Sequence, residues 1–224
     1  MSKESMVIGA MKPLTRGHEQ LILKAIHSND DHTHLFLSGQ DRIFKINGKK
    51  IKASTEAFLS TLARNYFPGG FLGKKTTSKP VTLNITLSEK FTTKDAKSRM
   101  PRILKLFENL KLATQTSCIS TVNLLTLKSG PINIAYDTIE ENQKIQYTIH
   151  SGKDDEKKYQ SMIDNFPNLS AKFYKRGGDT MLVSGTDARS VIFSDSPNLQ
   201  LLKNMLPETV INHKQIVDLY LQYM

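Results

Sequence analysis

The sequence predicts an α/β fold, a doubly wound parallel sheet with a basic insertion in the middle of the chain. Three observations lead there. Short strand-like apolar runs alternate with longer stretches of helical periodicity toward both ends of the chain, which implies parallel strands joined by right-handed crossovers. The run Met6-Val7-Ile8 passes through Gly9-Ala10-Met11-Lys12-Pro13 straight into a helix-periodic stretch. Between about 68 and 131 the rhythm breaks, and a segment rich in glycine and lysine opens in its place.

Each element follows from its own pattern. The first strand falls at about 5–11. The next helix sets Leu21, Ile22, Ala25 and Ile26 on one stripe, which Leu23 broadens. His34 to Ser38 reads as the second strand, ending in Ser38-Gly39-Gln40-Asp41. Ser54 then caps a helix with Thr55 and Glu56 in its first turn and Phe58, Leu59, Leu62 and Phe67 on one side. The insertion opens with the loop Pro68-Gly69-Gly70-Phe71-Leu72-Gly73-Lys74-Lys75. An alternating run at 81–87 follows, then a helix at 99–112 along Ile103, Leu104, Phe107 and Leu110. The stretch 119–127 fits a strand or a short helix. The insertion is expected on or beside the edge of the sheet.

Past Pro131 the regular pattern returns with a helix carrying Ile134, Ala135 and Ile139 and a strand at 144–150. The turn Ser151-Gly152-Lys153-Asp154-Asp155 leads to a helix with Tyr159, Met162, Ile163 and Phe166, and a strand lies at 171–174. Helical segments follow Ser184.

Composition narrows the class. The 224 residues suit one domain, 1–224, with the insertion at about 68–131. Hydrophobic residues make up 38% and mean hydropathy is −0.36, as for a soluble globular protein. No apolar stretch approaches the ~20 residues that span a bilayer, and the first residues lack a signal-peptide apolar region. The single cysteine, Cys118, excludes an internal disulfide framework and fits a reducing compartment, hence a cytoplasmic location. Net charge is +10, concentrated at 45–52 and 74–102. That distribution points to an anionic substrate, a nucleic acid or an acidic partner protein.

Two segments stand out for chemistry. Thr15-Arg16-Gly17-His18 sits where the first loop meets its helix. A helix start offers backbone N–H groups and a partial positive charge to an anion. Gly17 permits close backbone approach, and Thr15 and His18 add side-chain donors. The second segment is Val183-Ser184-Gly185-Thr186-Asp187-Ala188-Arg189-Ser190. Ser184 or Thr186 is a good N-cap there, and Arg189 falls one turn inside, where it can fold back toward the same anion. In an open parallel sheet both loops gather outside the carboxyl ends of the strands, with 38–41 and 151–155 beside them.

The first segment resembles the T/H-x-G-H signature of the nucleotidylyltransferase superfamily, which includes cytidylyltransferases and the pantetheine-phosphate and nicotinamide-mononucleotide adenylyltransferases. Gly9, Pro13, Thr15, Gly17 and His18 fall in register with that family's opening pattern. The second segment resembles its I-S-S/T-T-x-x-R motif. Outside the insertion, the layout is similar to nucleotidylyltransferase-like proteins of large-genome tailed bacteriophages, for which the host cytoplasm or the virion is the expected location.

The resemblance implies a Rossmann-like sheet of nucleotidylyltransferase type. It implies an adenylyl- or cytidylyltransferase that moves a nucleoside monophosphate from a nucleoside triphosphate to a phosphorylated small molecule, releasing pyrophosphate. By the same resemblance His18 donates to the α-phosphate, Thr15 contacts the β- or γ-phosphate, and Lys12 is an auxiliary cation. Ser184, Thr186 and Arg189 hold the β/γ-phosphates. Gly9, Met11 and Gly17 belong to the nucleotide site, and Gly152 with Asp154 or Asp155 resembles a G-x-D turn that contacts the nucleoside. Mg2+ bridging the triphosphate is expected from the family, although no dense carboxylate cluster marks its place. Three departures accompany the match. Met11 stands where an aromatic residue is usual, Gly185 replaces the second hydroxyl residue, and Arg176-Gly177-Gly178 is offset from the arginine spacing of cytidylyltransferases.

Each candidate also has a plainer role. His18 can serve as a helix cap, Ser184 and Thr186 as an ordinary N-cap, and 152–155 as a turn. His27, His32 and His34 match no standard metal spacing and read as solvated loop residues. Lys49, Lys50 and Lys52 read as a solvated face, and Cys118 as inert core. A competing function is a catalytically weak or inactive member of the family, acting through the basic insertion as a nucleic-acid-binding or virion assembly protein. An oligomer is compatible with either. Neither segment specifies the base or the acceptor.

Overall fold

The computed structural model describes residues 1–46, 48–68, 70–74, 77–88, 94–127, 131–175 and 184–207. Strand β1 (Lys3–Gly9) leads through a loop into α1 (Arg16–Ile26), and β2 (His32–Ser38) follows. A hairpin of β3 (Arg42–Ile46) and β4 (Lys49–Ala53) precedes α2 (Thr55–Thr61), which runs on into a π-helical turn at Leu62–Tyr66. Next come β5 (Val81–Ser88), α3 (Lys94–Thr114), β6 (Thr121–Leu127), α4 (Pro131–Glu141) and β7 (Gln146–Gly152). A 3₁₀ turn at Lys153–Asp155, α5 (Glu156–Asn165), β8 (Leu169–Tyr174), α6 (Gly185–Ile192) and α7 (Leu199–Met205) complete the described chain.

Six strands form one parallel sheet in the order β6-β5-β2-β1-β7-β8. The chain winds outward from β1 to β6, and α4 then returns it to β7 on the other side of β1. Side chains alternate across a strand, so β1 feeds two cores at once. Val7, with Leu35, Leu83 and Ile85, packs under Ile22 and Ala25 of α1, Leu59 of α2 and Ile103 of α3. Met6 and Ile8, with Ile149, pack under Ile134 and Ile139 of α4 and Tyr159 and Met162 of α5. A strand buried on both faces reads as a continuous apolar run, which is what Met6-Val7-Ile8 is. Each fully buried aliphatic side chain contributes about 2 kcal/mol.

Much of the segment expected as an insertion lies within this sheet. β5 pairs with β2 from Thr33↔Val81 to Ser38↔Thr86, and β6 forms the edge beyond it. The flank of β2 requires an apolar strand, and Val81, Leu83 and Ile85 supply one that is fully buried. The stretch 119–127 resolves into strand β6, and the helix expected from 99 begins at Lys94. No helix among the described residues is long and apolar enough to cross a membrane. Cys118 is a free, buried cysteine, and burial pushes its thiol up to about 11, so it stays protonated.

The hairpin is absent from the elements expected from the sequence, which treats 45–52 as a basic surface. Its signal is nevertheless there: Asn47-Gly48 between alternating apolar residues is a strong hairpin pattern. Phe44, Ile46, Ile51 and Ala53 turn inward and pack with Ile192 of α6 and Leu202 of α7. The hairpin is therefore the seat on which α6 rests. β2 starts earlier than expected, at His32, so His32 lies in the strand with His34 and both are half-buried, while His27 is the exposed C-cap of α1.

Candidate active site

Thr15 is the N-cap of α1 and is fully buried. Its Oγ1 accepts from the His18 N–H at 3.3 Å, and its own N–H donates to His18 Nδ1 at 3.1 Å. This is a capping box in which histidine takes the place of the usual Glu or Gln. A ring nitrogen that accepts from a backbone N–H carries no proton, so the neutral imidazole holds its proton on Nε2. The local helix signal thus sets the chemical state of His18.

The preceding loop is built tightly. Met11 has φ +47°, a left-handed conformation that costs an L-residue about 1–2 kcal/mol. Its side chain is buried against Gly9, where an added Cβ would lie 3.1 Å from Met11 Cε. Gly9 therefore leaves room for Met11. Lys12 turns its ammonium inward, donating to the Gln40 carbonyl at 2.5 Å and lying 4.6 Å from the centre of the Phe58 ring. Burial pulls its pKa down to about 7, against the opposing pull of Asp41 and with a smaller push from Arg42.

Ser184 caps α6 with a second capping box, closed by Asp187. Arg189, one turn in, donates from Nη1 to the Lys12 carbonyl at 2.5 Å and from Nη2 to Thr186 Oγ1 at 2.9 Å. Its guanidinium lies 3.9 Å from the centre of the Phe44 ring on the hairpin. A Cβ on Gly185 would meet Arg189 Nη1 at 3.1 Å, His18 Cε1 at 3.6 Å and the Pro13 carbonyl at 3.6 Å. The departure at Gly185 has this physical reason: a side chain there would press on Arg189. Segments 177 residues apart in sequence are thus in direct contact.

Between them opens a cleft of about 280 Å³ lined by the neutral His18, the cations Arg42, Lys158 and Arg189, and the carboxylate Asp155. A second cavity of about 420 Å³ shares Ile8, Gly9, Ala10, Arg42 and Lys158 with it, and continues past Ser38 and Gln40 to Pro131 and Asn133 at the start of α4. Together they make one groove across the carboxyl ends of β1, β2 and β7, where ligands of open parallel sheets bind. Cations outnumber carboxylates along it, which favours an anionic ligand.

Of the residues singled out from the sequence, Gly9, Met11, Lys12, His18, Thr186 and Arg189 line the cleft. The Lys12 ammonium is spent on Gln40, so its backbone carbonyl is what it presents to Arg189. Thr15, Gly17 and Ser184 stand behind the wall; the hydroxyls of Thr15 and Ser184 are engaged in the two caps, and Gly17 is buried between Arg16 and His18. Asp154 is exposed on the 3₁₀ turn, and it is Asp155, accepting from Ser151 Oγ at 3.2 Å, that faces the cleft. Gly152 ends β7 with open space around it. Val183 and Arg176-Gly177-Gly178 lie outside the described residues.

Arg42, Phe44 and Lys158 are the lining residues that sequence reasoning missed. Arg42 is positioned by a network with no local signature. Arg99 of α3 bonds both carboxylate oxygens of Asp41 at 2.9 Å and also Glu56, and Lys52 joins Asp41 at 2.8 Å. Although burial opposes it, these cations hold the Asp41 carboxyl well below the usual carboxylate range. The network ties the end of β2 to α2, α3 and the hairpin just before Arg42.

Fold and site together define a doubly wound α/β protein with a cationic groove at the carboxyl rim of its parallel sheet. No family model matches the sequence, and no curated protein matches it. Two solved structures similar to it are nicotinic acid mononucleotide adenylyltransferase of Plasmodium falciparum, complexed in one case with APC and in the other with NaAD. Each is 10% identical with a TM-score of 0.46, over 100% of this chain and 96% of the other.

Proposed function

We propose that the protein is a nucleotidylyltransferase, joining a nucleoside monophosphate from a nucleoside triphosphate to a phosphorylated small molecule with release of pyrophosphate. The observation that carries this reading is the meeting of two helix starts, with Arg189 bonded to the Lys12 carbonyl and Gly185 against His18 and Pro13. A single phosphate chain can touch both. The β- and γ-phosphates lie against Thr186 and Arg189, and the α-phosphate takes the Nε2–H of His18.

An oxygen of the acceptor's phosphate attacks the α-phosphorus, the bond from that phosphorus to the α–β bridging oxygen breaks, and pyrophosphate leaves with the electron pair. The acceptor is already ionised, so the protein's work is alignment and charge neutralisation. Arg42 and Lys158 line both cavities and face the junction where two anions must be brought together. The larger cavity takes the acceptor. A magnesium ion carried on the triphosphate supplies further charge neutralisation. Such an ion keeps several waters and needs one or two carboxylates beside the substrate phosphates. Asp155 meets that requirement among the described lining residues.

The test is pyrophosphate release in magnesium buffer with each of the four common triphosphates and a panel of phosphorylated acceptors. Release with one triphosphate is expected, and it should vanish in His18→Ala at unchanged circular dichroism. No release with any pair would overturn the reading.

A further inference from the structure

At the opposite rim of the sheet, Glu4, His32 and His34 bring one carboxylate and two imidazoles together. His32 and His34 are two residues apart on β2 and so share a face, and Glu4 lies beside His32 in the β1–β2 register. One ligand atom from each of the three lies within 4.8 Å of the others. His34 Nε2 is 2.9 Å from Glu4 Oε2, and the two imidazole rings stack with centroids 4.1 Å apart.

We propose that Glu4, His32 and His34 bind one divalent cation of the zinc class. Two imidazoles and a carboxylate form a borderline donor set, suited to zinc and its neighbours and poorly suited to magnesium or calcium. Zinc–ligand bonds of about 2.0–2.1 Å put adjacent tetrahedral ligands about 3.3 Å apart. The 2.9 Å pair therefore opens by only a few tenths of an ångström, and His32 closes by rotation of its ring. Paired parallel strands hold all three side chains on rigid backbone, which lowers the cost of assembling them. Thr82 Oγ1 lies 2.8 Å from Nε2 of His32, a hydrogen bond that fixes the orientation of the ring. The His34 and Glu4 side chains are 17% and 15% exposed, so an ion can reach them and water can fill the fourth position. Phe36 stacks on the far side of His34 at 6.0 Å.

The site does not depend on the proposed transferase. Glu4 lies five residues before Gly9, about 16 Å along the strand, so the ion would tie β1 to β2 and take no part in groove chemistry. The experiment uses the full chain stripped with chelator. Zn2+ is titrated by calorimetry and Co2+ by visible absorption, with thermal unfolding measured in parallel. Expected are one equivalent of micromolar or tighter Zn2+, a tetrahedral Co2+ spectrum displaced by Zn2+, and a higher unfolding midpoint with metal. Glu4→Gln and His34→Ala should each weaken binding by more than about tenfold, while His27→Ala, at the exposed end of α1, should not. Glu4→Gln keeps the shape of the site, so a fold lost in His34→Ala does not spoil the test. No saturable micromolar binding, or binding unchanged in Glu4→Gln and His34→Ala, would reduce the cluster to a hydrogen-bonded ion pair and overturn the proposal.

Discussion

At the start of α1 the Thr15 N–H donates to His18 Nδ1 at 3.1 Å, and at the start of α6 the Ser184 N–H donates to Asp187 Oδ2 at the same 3.1 Å. In both, the cap hydroxyl accepts from the N–H of the third helical residue. The two boxes differ in the side chain that returns. An imidazole accepting at Nδ1 presents an N–H on its other edge, whereas a carboxylate offsets part of the helix's positive end. The α1 start therefore brings a donor to the cleft, and the α6 start depends on Arg189 for its positive charge. Burial differs as well. Thr15 is fully buried, with Ile22, Ala25 and Ile26 anchoring its helix in the core, while Asp187 is exposed and α6 is held by Ile192 and by Arg189 on Lys12 and Phe44. One backbone device thus serves two electrostatic purposes, and the third residue of the helix decides which.

The sharpest way to break that contrast is His18→Asn, which leaves a small polar side chain at the cap and removes the Nε2 donor. Pyrophosphate release should fall by about 100- to 1,000-fold, with the thermal midpoint little changed; retained activity would mean that the α1 start supplies no donor. Arg189→Lys comes next. It keeps the charge and loses the planar fork that reaches the Lys12 carbonyl and Thr186 together, so kcat/KM for the triphosphate should drop about 10- to 100-fold.

The caps themselves should separate in urea unfolding. Thr15→Ala should cost about 1–2 kcal/mol and Ser184→Ala about 0.5–1 kcal/mol, and equal losses would show that burial of the cap is irrelevant. The smallest effect is expected from Asp187→Asn, which keeps an acceptor for the Ser184 N–H and removes the negative charge. Triphosphate KM should fall about two- to fivefold, more at low ionic strength than at high.

Both helix starts were legible because a cap is a bargain between residues three apart. Thr15 with His18, Ser54 with Ala57 and Ser184 with Asp187 settle their hydrogen bonds within one turn. The candidate site was legible to the extent that it consists of such turns. It blurred where neighbours in sequence diverge in space: Asp155 reaches the cleft and Asp154 does not, and Lys12 contributes its carbonyl while its ammonium goes inward. Arg42 and Phe44 were missed because the Asn47-Gly48 hairpin signal after their strand lay inside a run dominated by lysine. The Asp41–Arg99–Glu56 network joins residues from separate elements and leaves no trace in any window of the sequence.

What the sequence determined alone was the local grammar: alternating strands and helices, their caps, and two capped helix starts whose residues resemble the motifs of a known family. Those features rest on periodicity and on bonds between near neighbours, which any stretch of chain can settle for itself. Tertiary structure decided the rest. It put β5 beside β2 inside the sheet, docked α6 on the hairpin so that Arg189 reaches Lys12, and set Glu4 next to His32 and His34. Such contacts depend on which apolar faces bury each other across long loops, and that outcome belongs to the whole chain at once.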